Sequence, residues 1–99
     1  MKENIVKDKS FRFAVRVVNL YKYLTEKKIE FVIAKQLLRS GTSAGALIRE
    51  AEHAESKSDF VHKMSIALKE TNETLYWLEL LKTTDYLKEE QFNSIILML

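Results

Sequence analysis

Proline is absent from this 99-residue chain and glycine occurs only twice. That constrains the fold more than any motif does. Sandwiches and barrels need many tight turns, and the residues that make such turns are nearly missing. A few long helices with few connections are the consequence. At this length the chain forms one domain, residues 1–99, with a single core. Without cysteine there is no disulfide, thiolate metal site or thiol nucleophile, which suits a reducing compartment. The segment Met1 to Lys9 has no apolar signal-peptide region, and no apolar run approaches the ~18 residues of a membrane span. The expectation is a cytoplasmic protein with no membrane association.

Hydrophobic periodicity divides the chain into four helices. Phe11, Ala14, Val15, Val18, Tyr21 and Leu24 recur at three- and four-residue spacing, which predicts a first helix over about 9–27, capped by Asp8 or Ser10. A second helix over about 30–54 carries Phe31, Ile33, Ala34, Leu37, Leu38, Leu47, Ile48 and Ala51. Its middle, Ser40 to Ala46, is made of small residues. Gly41 and Gly45 lie there four apart; each costs a helix about 1 kcal/mol relative to alanine. The apolar period resumes in phase at Leu47, so the reading is a continuous helix whose glycines admit a neighbouring backbone.

Ser56-Lys57-Ser58-Asp59 has capping-box spacing and predicts the start of a third helix. Phe60, Met64, Ala67, Leu68, Thr71, Leu75 and Leu78 form its inner stripe; Ile66, Tyr76, Trp77, Leu80 and Leu81 form a second apolar flank. A fourth helix is predicted from about Lys88 to the last residue, Leu99. It is shorter than its partners, so either part of it is missing or its apolar end docks on another subunit. Short connections leave no room for a long crossover, and the fold expected is all-α, an antiparallel up-down-up-down four-helix bundle.

Charge is polarised along the chain. Residues 1–39 hold ten Lys/Arg against four Asp/Glu, a net of +6, and residues 40–99 hold six against ten, a net of −4. Such polarity attracts polyanions to the basic part, attracts copies of the chain to one another, or pairs helices within one bundle. Lys9, Arg12, Arg16, Lys35 and Arg39 are the candidate polyanion contacts.

Catalytic chemistry finds little to work with. Glu50-x-x-His53 and Asp59-x-x-His62 have the carboxylate–imidazole spacing of di-iron bundles, but both crowd one turn rather than mid-bundle, so no metal site is expected. No serine lies in a strand–turn–helix elbow, and no histidine falls level with Ser40 or Ser43, so no catalytic residue is assigned. Antiparallel helices two and three place residues whose numbers sum to about 113 side by side. Arg39 then meets Glu73 and Thr74, Ser43 meets Glu70, Gly41 meets Asn72 and Gly45 meets Leu68. Arg39, Ser43, Glu70, Glu73 and Thr74 therefore read as a polar lock that fixes helix register.

Gln36-Leu37-Leu38-Arg39-Ser40-Gly41-Thr42-Ser43-Ala44-Gly45-Ala46, Glu50-Ala51, Ser58-Asp59-Phe60-Val61-His62-Lys63, Ile66 to Glu70 and Glu73 to Leu81 resemble the four-helix-bundle proteins encoded in intervening sequences of 23S ribosomal RNA genes. That family in turn resembles the accessory variability protein of diversity-generating retroelements, a basic pentameric bundle that works with a reverse transcriptase. The resemblance implies a bacterial, cytoplasmic, non-enzymatic bundle that forms a homo-oligomer, a pentamer. It further implies that structured RNA or a reverse transcriptase is the partner and that no cofactor is needed. Tyr76, Trp77, Leu80, Leu81, Ile96 and Leu99 are the expected oligomer interface, because one core cannot use every apolar flank. The rival reading is a protein–protein assembly module with no nucleic-acid role.

Overall fold

The computed structural model describes residues 5–99. Its helices are α1 (Ile5–Glu26), α2 (Val32–Ala51), α3 (Lys57–Thr83) and α4 (Glu89–Ile96), and no strand occurs among the described residues. The register is antiparallel at each step. Lys7 reaches Glu52 across α1 and α2, Lys63 reaches Glu50 across α2 and α3, and Lys82 lies over the Phe92 ring across α3 and α4. Phe13, Val17 and Leu24 of α1 meet Ala34 and Leu37 of α2 and Leu78 and Leu81 of α3, with Leu87 and Ile95 closing the core at the α4 end.

Local chemistry sets most of the helix ends. The Glu30 carboxylate accepts from the backbone N–H groups of Val32, Ile33 and Ala34 at 3.2, 3.1 and 2.7 Å, which ties the opening of α2 to an anion suited to the helix dipole. Ser56 caps α3 by accepting from the Asp59 N–H at 3.0 Å, while the Asp59 carboxylate turns to the Glu55 N–H. The Gln91 amide oxygen accepts from the Lys88 N–H at the start of α4. Without glycine at the connections, two ordinary residues take left-handed backbone: Ile29 (φ 54°) after α1 and Asp85 (φ 70°) after α3. A β-branched residue there is strained. The strain is offset by the Glu30 and Tyr86 N–H groups, which donate back to the carbonyls of Leu24 and Leu81.

Four expectations need correction. α1 already runs from Ile5, so Ser10 does not cap it; its hydroxyl donates to the Lys7 carbonyl inside the helix. The buried row of α3 is Ala67, Thr74, Leu78 and Leu81, whereas Leu68 is 64% exposed. A periodicity of three to four marks that a face exists, and two adjacent faces of α3 were both apolar enough to claim it. Both glycines turn to α1, not to α3. A Cβ on Gly41 would stand 2.8 Å from both Val17 methyls, and one on Gly45 would stand 3.4 Å from the Ser10 carbonyl oxygen. Finally, α4 spans only 8 residues where about twelve were expected, because Leu97 to Leu99 leave the helix in a terminal turn.

Candidate nucleic-acid interface

The α2–α3 seam holds the polar residues that the level argument brought together, in a slightly different arrangement. Thr74 and Ser40 are both buried, with hydroxyl oxygens 2.9 Å apart, and Thr74 Oγ1 lies 2.8 Å from the Glu70 carbonyl. One proton order uses every group: Thr74 donates to the carbonyl and Ser40 donates to Thr74. Ser43 takes no part across the seam, since its hydroxyl donates to the Arg39 carbonyl of its own helix. Ser40, absent from the predicted lock, is the buried partner. Its signal was present in the numbers, because positions 40 and 74 also share a level.

At the rim of the seam the Arg39 guanidinium donates to Glu70 at 3.2 Å and to Glu73. Glu73 also accepts from the Trp77 indole N–H at 3.0 Å. The Trp77 and Arg39 hydrogen bonds hold the Glu73 carboxyl below the usual carboxylate range, and the two carboxylates, Glu73 foremost, raise the Arg39 guanidinium above its ordinary value. With two carboxylates on it, Arg39 presents little net positive charge to a polyanion. As an RNA contact it is the weakest of the five candidates.

The other four candidates occupy two helices. Lys9, Arg12 and Arg16 recur at three- and four-residue spacing along α1 and gather beside the end of the chain. Lys9 and Arg12 line a shallow cleft with Leu97 and Met98, and Arg16 lies with Nη1 3.9 Å from Met98 Sδ. None of the three is paired with a carboxylate among the described residues. Lys35 is exposed on α2, one turn before Arg39, and so belongs to the helix whose cation is turned to α3. Sequence reasoning missed Arg49, which lies over the exposed Phe11 ring at 5.2 Å and holds a cation against the other flank of α1.

The two histidine motifs come apart. His53 and His62 are exposed; Lys63 reaches Glu50 at 3.8 Å and Asp59 at 3.6 Å, so a lysine takes the carboxylates. Among the described residues no three His, Cys, Asp or Glu side chains converge on a metal position. No helix among them is long and apolar enough to cross a membrane. Of the predicted oligomer surface, Tyr76 is 56% and Leu99 49% exposed, whereas Trp77, Leu80 and Ile96 are half-buried. Leu81 is fully buried. It holds the core of the monomer and is removed from the interface.

The sequence profile of the 23S rRNA-intervening sequence protein family matches residues 2–99. This chain belongs to that family. Among solved structures the chain is similar to a protein from the S23 ribosomal protein family of Bacteroides thetaiotaomicron VPI-5482, described as of unknown function and determined at 1.70 Å resolution. The two share 61% identity with a TM-score of 0.95, over 97% of this chain and 89% of that one. No curated protein matches. Family membership agrees with the four-helix architecture.

Proposed function

We propose that this protein is a non-enzymatic helical bundle that assembles with copies of itself and binds structured RNA, or an RNA–protein complex, through α1. One observation carries the reading: Lys9, Arg12 and Arg16 share one helix without a carboxylate on any of them among the described residues. Unneutralised cations at helical spacing suit a phosphate backbone, and the family description gives RNA first claim over other polyanions. Net charge of only +2 makes a single copy a weak binder. Assembly, a pentamer by the family resemblance, multiplies the patch and turns weak contacts into avid ones. Tyr76 and Leu99, with the accessible parts of Trp77, Leu80 and Ile96, are the apolar surface offered for it. An assembly role alone is the second reading, favoured by Leu97, which is 87% exposed.

The test measures retention of a structured RNA by the purified protein between about 50 and 200 mM salt, where phosphate contacts lose affinity steeply. Binding whose salt slope flattens in the Lys9→Gln/Arg12→Gln variant supports the RNA reading. No retention at low salt, by protein that light scattering shows to be assembled, overturns it in favour of the assembly module. A monomer at micromolar concentration overturns the assembly part.

A further inference from the structure

The outer seam of α1 and α2 carries a cation that the Lys9, Arg12 and Arg16 stripe does not include. Ala14 and Gly45, both half-buried, are too small to fill that seam, and a cleft of about 260 Å³ lies open over them. The volume falls just short of the ~300–1,000 Å³ of sites for drug-sized ligands, so the cleft has room for one planar ring system and little more. Phe11 stands at its rim, 55% exposed, with the Arg49 guanidinium over the ring at 5.2 Å. Arg49 is in no ion pair among the described residues. The carboxylates closest in sequence leave it so: Glu50 is reached by Lys63, and Asp8, one turn before Phe11, pairs with no cation among the described residues. The ring thus holds an unneutralised guanidinium at the mouth of the cleft.

Two hydroxyls complete the lining. Ser10 Oγ lies 3.6 Å from where a Gly45 Cβ would stand and donates to the Lys7 carbonyl at 2.9 Å; Thr42 donates to the Leu38 carbonyl at 2.7 Å. With their protons spent inside their own helices, both oxygens have only lone pairs left to offer. The cleft therefore combines an aromatic face, a forked donor and two acceptors. An aromatic face stacks any base. The polar groups choose among them: guanine has two acceptors, O6 and N7, for the fork and an N1–H and amino group for the hydroxyls, whereas adenine would set its own amino donor beside N7 against Arg49. We infer that the cleft over Gly45 binds one unpaired guanine of an RNA, stacked on Phe11, with Arg49 donating to O6 and N7 and the Ser10 and Thr42 hydroxyls accepting from its amino edge. The inference rests on the RNA reading and deepens it, since the cations of the α1 stripe hold phosphates of any sequence and this cleft reads a base.

The probes are two RNA hairpins that differ only in one unpaired loop nucleotide, guanosine in one and adenosine in the other, together with GMP and AMP, which share a phosphate. The guanosine hairpin is expected to bind the intact protein about tenfold more tightly, the discrimination of one good bidentate pair. GMP at millimolar concentration should move the amide NMR resonance of Gly45, which lines the cleft, more than that of Gly41, which packs on Val17, and more than AMP does. Arg49→Lys keeps the charge and loses the fork, so it should abolish the preference while both hairpins are still retained. Phe11→Leu should weaken both hairpins by about tenfold through the lost stack. Both substitutions fall at exposed positions and should leave the melting temperature unchanged. Lys9→Gln/Arg12→Gln should flatten the salt slope and preserve the guanine preference, which separates the cleft from the α1 stripe. Equal affinity for two hairpins that are both retained overturns the guanine site and spares the RNA reading; no retention of either at low salt overturns both. GMP binding as tightly as the hairpin would give the cleft to a free nucleotide, and loss of the oligomer in Phe11→Leu would give it to a second copy of this chain; either overturns the inference.

Discussion

The two seams of α2 are built on opposite principles. Against α1 it presents glycine: Gly41 leaves no room for a Cβ beside Val17, which is itself fully buried, so the contact is shape and dispersion alone. Against α3 it presents hydroxyls and a cation: Ser40 and Thr74 inside, Arg39 with Glu70 and Glu73 at the rim. A close-packed seam tolerates no added volume, and a hydrogen-bonded seam tolerates no lost partner. The same helix therefore responds to substitution in two different ways, depending on which neighbour is touched.

The largest expected effect is on the packed seam. Gly41→Leu should destabilise the bundle by at least the ~1–3 kcal/mol usual for overpacking, read as a lowered chemical-denaturation midpoint. Gly41→Ala should already lower it, because Val17 is β-branched, buried and unable to swing aside. Gly45→Ala sharpens the contrast. Its Cβ would meet Ser10 at an ordinary contact distance of 3.4 Å, so the helix gains alanine's propensity and stability holds or rises by up to about 1 kcal/mol. If both alanines behave alike, close approach at Gly41 is not what shapes this seam.

On the polar seam, Thr74→Val keeps the shape and leaves the buried Ser40 hydroxyl without its acceptor. That should cost about 1–3 kcal/mol, the range for an unsatisfied buried group. The double variant Ser40→Ala/Thr74→Val should recover part of the loss, and a strictly additive cycle would show that the hydroxyls are not coupled.

A smaller effect belongs to the rim. The native Glu73 carboxyl titrates below its unfolded value, chiefly through the Trp77 indole and then Arg39. Its contribution to stability is thus fully present above the ordinary carboxylate range and is lost as pH falls through the depressed native value. Trp77→Phe and Arg39→Ala should each shrink the drop in melting temperature on acidification relative to the parent. A drop unchanged in both would assign acid sensitivity to other carboxylates. The smallest expected effect is none: Lys9→Gln/Arg12→Gln should leave the melting temperature within error, because both side chains are exposed and neither has a carboxylate partner among the described residues. A clear loss would mean that these cations hold the monomer together and are not reserved for a partner.

Much of the candidate site was legible in one dimension. Residue spacing along α1 put Lys9, Arg12 and Arg16 on one stripe, and the antiparallel level rule paired Arg39 with Glu73 and brought Thr74 to its level. The rule has a resolution of about one helical turn, so it proposed Ser43 where Ser40 holds the buried contact. It also sent the glycines to α3, because a level fixes height along a bundle and says nothing about which neighbour a side chain faces.

The sequence by itself determined that the chain is helical, where its four helices fall and that α2 runs unbroken through Gly41 and Gly45, since propensity and period are local properties of the chain. Only the tertiary structure decided which of the two apolar faces of α3 became core, burying Leu81 and leaving Leu68 in water. It alone showed that Leu97 to Leu99 lie outside α4. Those outcomes depend on the rotation of each helix about its own axis and on what its neighbours bury, and both are set by all the packed faces together.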